Sequence, residues 1–293
     1  MDNVTALRWL ADRRAFVVAG AMKSGTCSLR YQLAALAWQD KLCLPKAELH
    51  FFDEEEEFGK GPAYYATWFD WGQGWEPPKY IGDVTPSYLY LPQVFPRLKQ
   101  ILPHASIVVL LRNPIDRAVS HHNHDLAKGR LVGSFQERFH REVHHGIFSP
   151  TRRDAYARGL YFDQISRLLQ HFPKSQVLVV ISERFRRNPR SELRRIRRFL
   201  EFPEPDLCNN LADKEFVERH VRGVYQECLR DVDFKQTLRE YYAEDVRRLR
   251  VFLQDDISEW DDDFGPAGTD AGCGVEMNLP LSAGDAGICD AGF

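Results

Sequence analysis

Short apolar runs alternate with amphipathic stretches along most of this chain. Phe16-Val17-Val18-Ala19 has strand length and stops at Gly20. After the turn from Ala21 to Gly25, Leu29, Leu33 and Leu36 recur at helical spacing, so a helix starting near Thr26 lays one face on a sheet. The same succession returns further on. Ser106–Leu111 (SIVVLL) reads as a buried strand, and Pro114 then opens a helix where a missing N–H costs nothing. Residues 176–181 read as another buried strand, between an amphipathic helix from Arg158 that Pro173 stops and a helix ending at Leu200. Shorter strands are expected at 41–45 and from Lys79, the latter closed by the turn Thr85-Pro86-Ser87. Residues 1–15 predict a leading helix anchored by Leu7 and Leu10. Residues 234–253 predict a last helix with Leu238, Tyr241, Leu249 and Phe252 inward. This alternation predicts a single α/β domain over residues 1–264, with a mostly parallel central sheet and helices on both faces. Residues 265–293 contain seven glycines, no basic residue and no sustained apolar period, which predicts a flexible tail.

Composition changes this picture in two places. The net charge of −3 conceals an asymmetry: ten acidic residues and no Lys or Arg follow from Asp255, so residues 1–254 carry 39 basic against 32 acidic groups. A basic body suits an anionic ligand. The six cysteines (Cys27, Cys43, Cys208, Cys228, Cys273, Cys289) show no metal-type spacing and read as free thiols of a reducing compartment. No apolar run approaches the ~18 residues of a membrane span, and MDNVTALRWLADRR lacks a signal-peptide core. The expected location is cytoplasmic.

The candidate chemistry starts at the first strand–turn–helix unit. A glycine-bearing turn there aims backbone N–H groups and a helix N-terminus at one point, an arrangement that holds phosphate. A nucleoside-triphosphate loop reads G-x-x-x-x-G-K-[ST]. Gly20 and Gly25 keep that spacing, but Thr26 and Cys27 stand where the lysine and the metal-binding hydroxyl belong, and the only lysine, Lys23, lies inside the turn. Lys23-Ser24-Gly25-Thr26 instead resembles the K-S-G-T loop with which the sulfotransferases hold a 5′-phosphosulfate.

Further segments carry the same resemblance. Glu48-Leu49-His50-Phe51-Phe52 is similar to the E-x-H-F-F segment of the glycan-type enzymes, whose glutamate is the proposed base; read alone, it is a polar edge beside two buried phenylalanines. Asp83-Val84-Thr85-Pro86-Ser87-Tyr88 resembles E-K-T-P-x-Y, with Val84 where the glycan enzymes have a lysine that reaches the active site. Arg112-Asn113-Pro114 through Arg117 to Ser120 resembles the 3′-phosphate site R-[DN]-P-x-x-R-x-x-S, and a guanidinium fork suits phosphate oxygens. Arg219 to Gly223 lies where the family has a basic, glycine-bearing loop over the 3′-phosphate, which makes Arg222 and Gly223 candidates. Ser28 replaces an adenine-stacking tryptophan of the cytosolic branch, so the chain looks nearer the glycan and bacterial branches.

The resemblance implies 3′-phosphoadenosine 5′-phosphosulfate (PAPS) as co-substrate, with no metal, and a hydroxyl- or amine-bearing acceptor: a glycan, lipid or small metabolite. It implies Lys23, Glu48 and His50 as catalytic groups, and Lys23, Ser24, Gly25, Thr26, Arg112 and Ser120 at the donor. Arg117 is expected to orient its helix. Several other features read as structural. His121, His122 and His124 are expected on a surface face, as are Asp53 to Glu57 and the arginines at 190, 194, 195, 197 and 198, while Tyr64, Tyr65, Trp68, Phe69, Trp71 and Trp75 are expected in the core. Two other functions stay open at this point: a nucleotide kinase with a degenerate loop, and a non-catalytic polyanion-binding protein. Neither nucleic acid nor a membrane span is expected as a partner.

Overall fold

In the computed structural model, which describes residues 1–35, 42–69, 77–144, 154–203 and 229–267, the apolar runs pair into one five-stranded sheet. The strands are β1 (Arg14–Gly20), β2 (Leu42–Cys43), β3 (Tyr80–Val84), β4 (Ser106–Leu111) and β5 (Val177–Ile181). They lie in the order β2-β3-β1-β4-β5, and every pairing is parallel. Parallel neighbours require long crossovers, which the intervening helices supply. The chain fills one side of β1 with β2 and β3, then crosses to the other side for β4 and β5. That reversal opens a crevice beyond the carboxyl end of β1, where ligands bind in open α/β sheets.

Side chains alternate across the sheet with period two. Phe16, Val18, Val84, Val108, Leu110 and Val180 share one face with Leu29 and Leu33 of the helix Thr26–Ala35 and with Leu193 and Ile196 of the helix Pro189–Phe199. Val17, Ala19, Ile81, Ile107, Val109 and Leu111 share the other face with Leu98, Ala118, Ile165 and Leu249 from four further helices. The expected α/β layering is therefore present, and all five described strands are parallel.

Some expectations change in detail. β1 begins at Arg14, before the apolar run, because Arg14 and Ala15 already pair with Tyr80 and Ile81. The helix Val232–Leu253 buries Phe234, Leu238, Tyr242, Val246 and Leu249, while Tyr241 and Phe252 stay half-buried at its margins. Tyr65 and Phe69 are core residues, but Trp68 is exposed. Leu36, Trp71 and Trp75 lie outside the described residues, as do Cys208, Cys228, Cys273, Cys289 and all but the first three residues of the expected tail. Arg190, Arg194, Arg195 and Arg198 are exposed as expected. Arg197 is not: it is buried, and donates to the carbonyl of Pro203 at 2.5 Å, which ties down the chain leaving that helix.

Two packing features make testable demands. Phe16 lies over Gly82 so closely that a Cβ there would meet Phe16 Cε1 at 2.7 Å and Leu44 Cδ1 at 2.8 Å. Gly82→Ala is expected to cost about 1–3 kcal/mol through overpacking, read as a lowered midpoint in urea unfolding. Asp245 is buried and accepts from the Tyr161 amide at 2.7 Å and the Phe162 amide at 3.1 Å, which caps the helix Tyr161–His171. Burial pushes its carboxyl up to about 7, against the pull of those two amides. The folded protein therefore holds a proton there that the unfolded chain releases near pH 4, so raising pH from about 4 to 7 removes stability. Wild type is expected to lose stability relative to Asp245→Asn across that range and to show a constant gap above it. Unfolding measured at unit pH steps checks this, and a gap independent of pH contradicts it.

Candidate active site

Three strand ends meet at the crevice. Beyond β1, Gly20 passes so close to the turn after β3 that a Cβ on it would meet Leu89 Cβ at 2.7 Å. Ala21 donates its amide to the carbonyl of Leu110 on β4 at 2.6 Å, and Ser24 closes the turn by donating to Ala21 at 3.1 Å. Lys23 and Gly25 take left-handed backbone angles, φ 71° and 94°. Glycine accepts that region freely, whereas lysine seldom occupies it. The turn then feeds directly into the N-terminus of the helix Thr26–Ala35. Ser24 and Thr26 are buried, Gly25 sits between them, and the Ser182 hydroxyl donates to the Ser24 carbonyl. Burial lowers the pKa of the Lys23 ammonium. Arg112 adds to that lowering, while Cys27, Asp125 and Glu48 oppose it.

Arg112 stands at the end of β4, and its Nη1 donates to the Lys23 carbonyl at 3.4 Å. Its own carbonyl accepts from the Tyr161 hydroxyl at 2.8 Å, and Asp116 lies 3.7 Å from its Nη2. Arg112 Nε is buried without a hydrogen-bond partner among the described residues, a donor that a phosphate oxygen suits. Asn113 caps the following helix, Pro114–Ala127, by accepting from Ile115 and Asp116, and Pro114 occupies its first turn. Ser120 lies on the buried side of that helix, roughly 9 Å along from Pro114 at 1.5 Å per residue. Arg117 is fully buried, with Nη1 3.4 Å from His121 Nδ1, in keeping with an orienting role. Arg222 and Gly223 lie outside the described residues.

The histidine triplet is not a surface face. His121 and His122 are buried and only His124 is partly exposed, because this helix is packed on two sides. His122 meets the ring of Phe135 edge-on at 5.3 Å, and His121 Nε2 lies 3.5 Å from Asp125. Burial, then the charges of Arg117, Arg158, Arg138 and Lys23, drive the His121 pKa well down, so its imidazole is neutral.

Glu48 and His50 face the crevice from the loop after β2. Glu48 Oε2 lies 3.3 Å from His50 Nε2, and His50 Nδ1 lies 3.1 Å from Asp53 Oδ2. Asp53 also accepts from the Ser87 hydroxyl. Asp53 was expected on a solvated face with Glu54 to Glu57; it is buried instead, because its side chain turns inward to His50 and Ser87 while Glu54 to Glu56 stay exposed. The sequence signal for it was its place three residues after His50. Val84 points away from this loop, into the core with Phe16 and Val18.

Lys23, Ser24, Gly25, Thr26 and Arg112 thus form one side of the crevice, and Glu48, His50 and Asp53 another. The Lys23 ammonium senses both Arg112 and Glu48. A polyanionic nucleotide and a proton acceptor could work on one reacting centre in such an arrangement.

Comparison with known proteins agrees with this geometry. The family described as "Sulfotransferase domain" matches residues 13–270. Heparan sulfate glucosamine 3-O-sulfotransferase 3B1 of Mus musculus is 29% identical over 211 residues, 71% of this chain and 50% of that protein. The Homo sapiens protein of that name is 28% identical over 253 residues, 81% of this chain and 60% of its own length. The chain spans about half the length of the curated relatives it matches. The crystal structure of a sulfotransferase from Alicyclobacillus acidocaldarius superposes with a TM-score of 0.65 at 26% identity, covering 85% of this chain and 98% of that one. With the family match extending over most of its length, this chain belongs to the sulfotransferase domain family.

Proposed function

We propose that this protein moves a sulfuryl group from PAPS to a hydroxyl-bearing acceptor. The observation that carries the reading is the contact between Arg112 and the Lys23 carbonyl, which joins the ends of two strands so that each brings a cationic residue to one crevice. A nucleotide phosphorylated at both 3′ and 5′ ends matches such a pair.

The bond between acceptor oxygen and sulfur forms as the bond from sulfur to the 5′-phosphate oxygen breaks. Negative charge grows on the departing phosphate, where Lys23 and the N–H groups of the turn stabilise it; positioning and charge neutralisation carry most of the catalysis in the related phosphoryl transfers. Glu48 takes the acceptor proton. His50 then matters through its two neighbours: once Glu48 is protonated it donates to Nε2, and Nδ1–H donates to Asp53. Arg112 and Ser120 hold the 3′-phosphate, with Arg222 and Gly223 proposed to close over it. The mouse and human relatives are named for the 3-hydroxyl of heparan sulfate glucosamine. Position 84 is a buried valine and supplies no cation toward the acceptor, which supports a less anionic hydroxyl compound here.

Adenosine 3′,5′-bisphosphate is expected to bind with unchanged affinity in excess EDTA, and Arg112→Ala to weaken it about 10–100-fold, the scale of one or two charge-assisted hydrogen bonds. Calorimetric titration checks both; ATP binding that requires Mg²⁺ would indicate a kinase instead. With labelled donor and a screened acceptor pool, Lys23→Ala is expected to reduce transfer about 10²–10³-fold. Glu48→Gln is expected to reduce it about 10²–10⁴-fold, with bisphosphate affinity kept within about twofold. Near-normal transfer by the Lys23 variant refutes the site.

A further inference from the structure

Asp83 takes no part in the scheme above and touches neither side of the crevice. It pairs in register with Val17, so it projects from the sheet into an aromatic core, fully buried. A carboxylate there carries a large desolvation cost unless it is hydrogen-bonded. Three hydroxyls meet it: Thr85 Oγ1 at 2.6 Å, Tyr88 at 2.9 Å and Tyr65 at 3.4 Å. Because each hydroxyl donates to the carboxylate, its lone pairs are left facing outward as acceptors.

Thr85 and Tyr88 both accept in turn from one loop. Thr85 Oγ1 accepts from the Leu49 amide at 3.0 Å. The Tyr88 oxygen accepts from Phe51 at 3.1 Å and from Phe52 at 3.4 Å. The amides held in this way belong to the residue between Glu48 and His50 and to the two residues after His50. His50 itself has a left-handed backbone, φ 52°, so the loop needs outside support to keep that shape.

We propose that Asp83 is a positioning residue: by orienting the hydroxyls of Thr85 and Tyr88, it fixes the backbone that presents Glu48 and His50. The chain of dependence runs carboxylate, hydroxyl, amide, base. Burial pushes the Asp83 carboxyl up to about 6, and the three hydroxyls act against that rise, as expected if they are its main support. Asparagine at this position offers one acceptor oxygen and an NH₂ that collides with a hydroxyl donor, so the hydroxyls lose their common orientation. The catalytic consequence rests on Glu48 being the base; the structural one does not.

Amide hydrogen exchange, compared between wild type and variants, tests the structural step. Asp83→Asn is expected to reduce protection of Leu49, Phe51 and Phe52 at least tenfold while leaving the Ala21 amide, bonded to Leu110, unchanged. Tyr88→Phe is expected to expose Phe51 and Phe52 but spare Leu49. Thr85→Val should do the reverse, and Thr85→Ser should restore Leu49. With adenosine 3′,5′-bisphosphate as probe, affinity should stay within about twofold in every variant; in the labelled-donor assay, turnover by Asp83→Asn should fall at least tenfold with donor KM unchanged. Unaltered protection of the three amides overturns the inference. So does a loss that includes Ala21, because that would make Asp83 a general support of the sheet. Failure of the wild type to bind the bisphosphate sinks the functional reading and leaves the exchange result to decide this one.

Discussion

The guanidinium of Arg112 and the carbonyl of Lys23 form the joint on which the crevice depends. A turn built to hold an anion has a built-in difficulty: every N–H it offers is attached to a carbonyl of opposite polarity. Here the carbonyls of the site are occupied by donors. Arg112 takes that of Lys23, Ser182 that of Ser24, and Tyr161 that of Arg112 itself. The donors come from the ends of β4 and β5 and from the helix Tyr161–His171, so closing the turn also fixes how three strand ends and one helix meet. The field left over is that of the amides, the helix N-terminus and the cations, and it is positive.

Such a site costs stability. Lys23 and Arg112 share the region with Arg117, Arg138 and Arg158, the last three all buried. Arg138 is paired with Asp125 and Glu142, whereas burial and the neighbouring Arg117 charge drive the Arg158 pKa down to about 10. His121, surrounded by these charges, is neutral. Desolvated like charges at this density oppose folding, and the rest of the core has to offset them. A bound polyanion relieves the same repulsion, so the charge pattern that weakens the free protein strengthens its hold on a ligand.

Much of this was legible in the sequence, and the boundary between what was and what was not has a physical basis. The placing of Lys23 to Thr26 in a turn and of Arg112 at a strand end was readable because it depends on local spacing: a strand end, a turn and a helix start lie within a dozen residues. The buried strands were readable for the same reason, since apolar runs such as Phe16 to Ala19 are local. Asp53, His121 and His122 were misread because burial of a polar side chain depends on what another part of the chain brings to it. Asp53 is buried by Ser87 and His122 by Phe135, and no window around either residue contains its partner. Arg197 differs from the arginines beside it only because the chain folds back after its helix and offers the carbonyl of Pro203. Asp83 was visible as a replacement for a family glutamate, but its three hydroxyl partners could be found only by folding the chain.

The proposed donor and acceptor sides are held by different means, and the sheet relates the two. Backbone carbonyls and their donors fix the donor turn at the end of β1; side-chain hydroxyls on and after β3 fix the loop that carries Glu48. In the scheme proposed above, the distance between a leaving phosphate and a base is therefore set by how β1 and β3 pair, Val17 beside Asp83 and Val18 beside Val84. Register in a sheet is all or nothing. A slip of one residue would turn Asp83 into the opposite core with Phe16 and Val18, and would bring Val84 beneath Tyr88 instead. No small adjustment of a loop could then recover the position of Glu48, because the hydroxyls that hold it would have lost the carboxylate that orients them. The in-line displacement proposed above would tolerate little error in placement, and that placement would follow from the same strand pairing that forms the core.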